Sequence, residues 1–207
     1  GHRPVRSRRR PRQARDTMKG MKIRDWPLIS SEINETYRIF TIRKDRARSP
    51  RNGNIYDFVV LDTFPWVNVI PLTPENEVLM IRQYRHGIRS VTLEIPGGLV
   101  ENGEPPEKAA LRELREETGY DARREDLICL GRILPNPAIQ NNVCHTYLAR
   151  DVYPAGEQNM DEKEDIVTQL VPLEKISSLI KEGVISHSLV VVAFYRLFLE
   201  YLPHASD

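Results

Sequence analysis

Across Pro96-Gly97-Gly98 the spacing of apolar residues changes from alternate positions to every third or fourth. A short β-branched run at 91–95 ends there, and an amphipathic stretch follows from 105 to 118. The order strand, glycine turn, helix is therefore imposed on the middle of the chain. Proline suits the first helical turn, where its missing N–H costs nothing, and Gly119 is the natural left-handed cap at the far end. With Glu113 at zero on a 3.6-residue helix, Glu117 falls at about 40° and Glu116 at about −60°. Ala110, Leu114, Thr118 and Leu111 gather between about 60° and 160° on the same wheel. One side of the helix is carboxylate, and the other is built to pack on a sheet.

Acids at that spacing repel, by a few tenths of about 1 kcal/mol per i,i+4 pair, so a compensating positive charge is expected. Hard oxygen ligands suit Mg²⁺, with Mn²⁺ as a substitute, because such ions bring water and substrate phosphate to complete an octahedron. The plainer alternative is a solvated acidic face offset by Arg112 and Arg115. Gly97 and Gly98 favour the ligand-binding reading, since they allow backbone shapes that leave amides or carbonyls facing a ligand beside the helix.

Elsewhere the pattern is mainly β. Residues 37–44 and 55–61 are rich in β-branched and aromatic side chains and flank Arg51-Asn52-Gly53-Asn54, which predicts an N-terminal hairpin. Strands are expected at 66–72 and 78–84, and again at 127–133, 143–149 and 166–171. Helices are expected from Pro172-Leu173-Glu174-Lys175 to Gly183 and over 188–201, the latter with Ser188 as N-cap. Polar connections fall at 135–142 and at 153–165, the second strongly acidic. Runs of strands with helices between them, and no regular βαβ alternation, indicate an α+β fold with a mixed sheet sandwiched between helices. The chain divides into an arm at 1–17, an N-terminal β segment at 18–62 and a main domain at 63–207.

At 40% hydrophobic the chain can bury one substantial core. No uninterrupted apolar run is long enough for a membrane span and no signal-like segment opens the sequence, so a soluble cytoplasmic protein is expected. Cys129 and Cys144 match no metal spacing and are expected as free thiols. In residues 1–17 seven arginines (Arg3, Arg6, Arg8, Arg9, Arg10, Arg12, Arg15) face Asp16 alone, a local +6 within a chain total of +1 that leaves −5 for the rest. The arm reads as a like-charged tail, or an extension ahead of a start at Met18 or Met21, rather than a nucleic-acid contact. It has no aromatic residue for base stacking, and an acidic body is a poor match for a polyanion.

The run from Gly98 to Tyr120 resembles the Nudix box: Gly98, Glu104, Arg112, Glu113, Leu114, Glu116, Glu117 and Gly119 fall at its fixed positions, and only Tyr120 replaces the commoner aliphatic. The resemblance implies the Nudix fold and hydrolysis of a nucleoside diphosphate linked to another moiety. It also implies metal ligation by Glu113, Glu117 and the Gly97 carbonyl, with Glu116 serving a further ion. Arg112 would orient the carboxylates, and Glu104 would tie loop to helix or reach an outer metal.

Outside the box, Arg82-Gln83-Tyr84-Arg85-His86 and Leu93-Glu94-Ile95-Pro96 are similar to segments of ADP-ribose and sugar-nucleotide pyrophosphatases. That similarity makes Arg85, then Arg82, the candidate phosphate contacts, with Glu94 holding an arginine or standing as an ordinary edge-strand carboxylate. Trp66, with Tyr37 and Phe40, is a candidate for base stacking, although such residues are more often core. The acidic loop suggests Glu162 as general base, with Glu164 as the alternative, while His145 reads as structural. By the same resemblance a homodimer is expected, with ADP-ribose as substrate. The alternatives are GDP-mannose, ADP-glucose or a dinucleoside polyphosphate, and, from a different class, a non-catalytic ligand sensor or nucleic-acid-binding regulator.

Overall fold

The computed structural model describes residues 23–160 and 165–201. Three strands open the described chain: β1 (Leu28–Thr36), β2 (Phe40–Arg48) and β3 (Ile55–Thr63), hydrogen-bonded in that order. Residues 23–32 and 44–58 group as one compact unit, and 33–43 with 59–201 as another. Within the first, the Arg48 N–H donates to the Pro27 carbonyl, and Lys44 and Arg46 both pair with Asp57. Trp26 packs edge-on against Phe58, with centroids 5.5 Å apart.

The expected hairpin is present, but its first strand starts at Phe40 and runs to Arg48 rather than covering 37–44. Strand β1 was not anticipated. Its Ser, Glu and Asn residues have weak strand preference, and pairing along β2 supplies what composition does not.

The larger unit is organised around β4 (Trp66–Pro71), buried at every position after Trp66. A four-stranded sheet runs β7 (Gly97–Leu99), β4, β10 (Cys144–Ala149), β9 (Leu127–Ile133), with β10 parallel to β4 and antiparallel to β9. A three-stranded antiparallel sheet runs β12 (Ile166–Pro172), β5 (Glu77–Arg85), β6 (Ser90–Glu94). Parallel and antiparallel pairing therefore coexist, as the α+β expectation required. Side chains alternate across β4, so Val67 and Val69 join Ala109, Ala110 and Leu114 of α1 (Pro106–Thr118) on one face. Ile70 turns the other way, to Val190, Ala193 and Phe194 of α3 (Ser188–Arg196). Leu114 is fully buried, and removing a leucine side chain from water is worth about 1.5–3 kcal/mol, which fixes the helix whose opposite side is acidic.

Two boundaries differ from expectation. The N-cap of α3 is His187, not Ser188: the His187 Nδ1 accepts the Leu189 N–H at 3.2 Å, which places Ser188 inside the first turn. Tyr153 and Pro154, expected as loop, form the short strand β11, paired with β8 (Tyr120–Asp121) at the end of α1. Helix α2 (Ile176–Lys181) follows a single 3-10 turn at Leu173–Lys175, and a wider turn of π type continues α3 over Leu197–Tyr201. No helix among the described residues is long and apolar enough to cross a membrane.

Candidate active site

Helix α1 begins at Pro105-Pro106 and ends at Gly119, whose φ of 73° is the left-handed conformation expected of it. Between those stops the acidic face lies beside β7. Gly98 is required there: a Cβ at that position would run into the Glu113 carboxylate. Gly97 is required for a different reason, because its Cβ would collide with the Val67 carbonyl and the Asn68 backbone across the β4–β7 pairing. The Gly97 N–H donates to Glu117 Oε2 at 2.9 Å, so the carboxylate of a nearly fully buried glutamate is fixed at the strand end.

Arg112 organises the remaining acids. Its Nε and one terminal nitrogen form a two-pronged contact with Glu104, each bond 3.0 Å, while the other nitrogen bridges Glu113 and Glu116 at 2.9 Å each. A further bond reaches the Leu99 carbonyl at 3.0 Å. Glu104 therefore ties the loop to the helix, and its carboxyl sits below its ordinary pKa chiefly because of the Arg112 contact. The positive partner that like-charge spacing demands is in part this guanidinium.

Among the described residues no three acidic, histidine or cysteine side chains converge as a ready-made metal cluster. The donor chemistry still fits a hard divalent ion: Glu113 lies in the space left by the missing Gly98 side chain, Glu117 is beside it on α1, and Mg²⁺ needs only one or two carboxylates with water and phosphate.

A cavity of about 670 Å³ opens from this ridge. Gly97, Gly98 and Leu99 line it, and Trp66 and Phe40 supply aromatic wall. Arg85 and Glu94 both face into it, joined by two bonds of 2.8 and 2.6 Å, and Thr92 adds a 2.5 Å hydrogen bond to the same carboxylate. Glu94 is thus a buried partner of Arg85 rather than a solvated edge residue. Burial alone would raise its pKa, but the bonds from Arg85 and Thr92 hold it below the ordinary value.

Arg85→Ala is expected to cost about 1–3 kcal/mol at neutral pH, because it strands a buried carboxylate. The loss should shrink as the pH falls and Glu94 becomes protonated, and Arg85→Ala with Glu94→Gln should recover much of it. Urea melts of both variants check this, and an equal loss in the double variant would refute the pairing as the cause.

Other expected site residues fall differently. Arg82 lies on the opposite face of β5 from Arg85 and donates to Gln169 at 2.7 Å, so it is not brought to the cavity. Tyr37 packs on Phe40 at 4.9 Å and does not line the cavity, whereas Phe40 does. His145 stands on β10, its pKa lowered first by burial and then by Arg132, away from the cavity. Glu162 and Glu164 lie outside the described residues. Among the polar cavity residues that the sequence does not single out are Asn68, Gln140 and His187. Asn68 is a single polar residue in a buried strand, His187 borders an apolar helix and Gln140 lies in the polar connection at 135–142, so only packing brings them together.

A mixed β fold carrying an acidic helix behind a short glycine-bearing strand is the architecture of NUDIX proteins, and the NUDIX domain family matches residues 63–193. The chain belongs to that family and is a pyrophosphohydrolase of it. It is similar to the methanol dehydrogenase activator of Bacillus methanolicus, 36% identical over 67% of this chain and 75% of that one. It is 34% identical to an ADP-ribose pyrophosphatase of Bacillus subtilis (strain 168) over 56% of this chain and 62% of that protein. It is 30% identical to one from Mycobacterium tuberculosis (strain ATCC 25618 / H37Rv) over 81% and 80% respectively. A crystal structure of an ADP compounds hydrolase shares the fold, with a TM-score of 0.75, 23% identity and coverage of 86% of this chain and 95% of that one.

Proposed function

We propose that the protein hydrolyses the diphosphate bond of a nucleoside diphosphate sugar in a Mg²⁺-dependent reaction, with ADP-ribose as substrate and AMP and ribose 5-phosphate as products. The observation that carries this reading is one cavity lined both by the Arg85–Glu94 pair and by Gly97 and Gly98, and the Glu113 carboxylate lies against Gly98. A guanidinium suits phosphate, a volume of about 670 Å³ suits a nucleotide sugar, and the relatives from Bacillus subtilis and Mycobacterium tuberculosis carry the ADP-ribose name.

Glu113 and Glu117, with the Gly97 carbonyl, would hold the ion, and Glu116 would serve a second. When bound, the metal neutralises the diphosphate and lowers the pKa of water. Arg112 keeps Glu113 and Glu116 in place from one side while Glu104 anchors Arg112. Arg85, itself braced by Glu94, holds a phosphate oxygen. Water adds to one phosphorus, the bond from that phosphorus to the bridging oxygen breaks, and the water proton passes to Glu162, or to Glu164 if that residue is the base. Trp66 and Phe40 supply apolar surface for the nucleoside. A homodimer belongs to the same reading: Leu28, Ile29, Ile55 and Phe58 of the N-terminal strands are exposed apolar residues, a surface that association would cover.

The test is a hydrolysis panel of ADP-ribose, GDP-mannose, ADP-glucose and diadenosine polyphosphates with Mg²⁺, read by product identity. AMP with ribose 5-phosphate is the expected dominant outcome, and faster cleavage of GDP-mannose would replace the substrate assignment. Within it, Glu162→Gln should lower kcat far more than it changes KM, whereas a selective loss in Glu164→Gln moves the base role to that residue.

A further inference from the structure

The first turn of α3 borders the cavity through a residue that the reaction above does not use. His187 caps the helix by accepting the Leu189 N–H on Nδ1 at 3.2 Å. An imidazole whose Nδ1 lone pair is engaged in this way carries its proton on Nε2 and is a donor there. The carbonyl of the same residue, Leu189, accepts from the Asn68 side-chain amide at 3.2 Å, so β4 fixes the turn that fixes the ring. Both His187 and Asn68 line the cavity. The opposing charges felt by the ring are those of Glu94 and Arg85, and burial is the largest cause holding its pKa below the ordinary histidine value. It is therefore a neutral, oriented donor at pH 7, at the N-terminus of a nine-residue helix whose dipole favours an anion.

Resting on the reading of the site as a nucleoside diphosphate sugar pocket, we propose that His187 is a substrate-binding residue whose Nε2–H donates a hydrogen bond to a phosphate oxygen, alongside Arg85. Capping and binding use different nitrogens of one ring, and two substitutions separate them. Asparagine reproduces the Nδ1 side, since its amide oxygen can accept the Leu189 N–H, but it cannot reach as Nε2 does. Glutamine reproduces the reach of Nε2 and is a poor cap.

The experiment measures KM, kcat, Tm and the inhibition constant of inorganic pyrophosphate, a ligand with neither base nor sugar, for the wild type, His187→Asn and His187→Gln. In His187→Asn, KM and the pyrophosphate inhibition constant should each rise about tenfold, with kcat within about threefold and Tm unchanged, the effect of losing one hydrogen bond to a charged group. In His187→Gln, KM should return towards the wild-type value while Tm falls. Wild-type kinetics in His187→Asn, or a KM in His187→Gln no better than in His187→Asn, would leave only the capping role and overturn the inference. A raised KM with unchanged pyrophosphate inhibition would assign the contact to the sugar or base and overturn the phosphate assignment. A wild-type protein that cleaves no nucleoside diphosphate sugar, whatever the variants do, overturns the parent reading and this one with it.

Discussion

Glu113→Gln is expected to lower kcat by about 10²–10³-fold or more, the scale of removing one preorganised electrostatic group from a transition state. The fold should survive. Glu113 is one of three acids held by Arg112, which keeps its two-pronged contact with Glu104 and its bonds to Glu116 and the Leu99 carbonyl. An amide in place of the carboxylate also has nearly the same shape, so the space beside Gly98 stays filled. The measurement is kcat at saturating Mg²⁺ and substrate beside a thermal melt of the same preparation. Unchanged turnover would remove Glu113 from the metal-binding set, and a lost melt would make the result uninformative about chemistry, in which case Glu117→Gln repeats the test.

Alanine at the two adjacent glycines should separate folding from catalysis. At Gly97 the added Cβ meets backbone, the Val67 carbonyl and Asn68 Cα, and neither can move without breaking the β4–β7 pairing in a buried strand. Gly97→Ala is therefore expected to destabilise by about 2–4 kcal/mol, beyond the 1–3 kcal/mol typical of overpacking because the obstacle is main chain. At Gly98 the obstacle is the end of the Glu113 side chain, which can swing aside. Gly98→Ala should melt within about 1 kcal/mol of wild type and yet lose most of its turnover, because the displaced group is a proposed ligand and positional errors near 1 Å cost about 10²-fold. Denaturant melts and kcat for the two variants decide it, and equal melting with equal activity would show that the glycines do not shape the ridge.

Much of the site could be read from the chain because its chemistry is local. Glu113, Glu116, Glu117 and Arg112 share one helix, Gly119 marks its end, and the glycines precede it by a fixed distance, so helical geometry alone places them on one side. Arg85 and Glu94 were suggested by segment similarity, but their pairing depends on the register of β5 against β6, in which Arg85 stands opposite Ser90 and Glu94 opposite Ile81. The same register explains why Arg82 is excluded: three residues along a strand reverses the face. Strand β1 is not legible in the sequence because its own residues do not ask for a strand, and the α3 cap falls one residue before the serine that the sequence favours because the backbone turn at His187 selects it.

By itself, then, the sequence determined the helix, its acidic side and the alternation of the core strands, since hydrophobic period acts over a few residues, whereas the expected glycine turn is instead the short strand β7, because pairing with β4 extends Gly97-Gly98. The tertiary structure decided which residues meet around the cavity: Arg85 with Glu94, Asn68 and His187 through one residue of α3, and Trp66 opposite Leu99. Those meetings depend on strand register and on β4 being covered on both faces, and packing of distant segments fixes both.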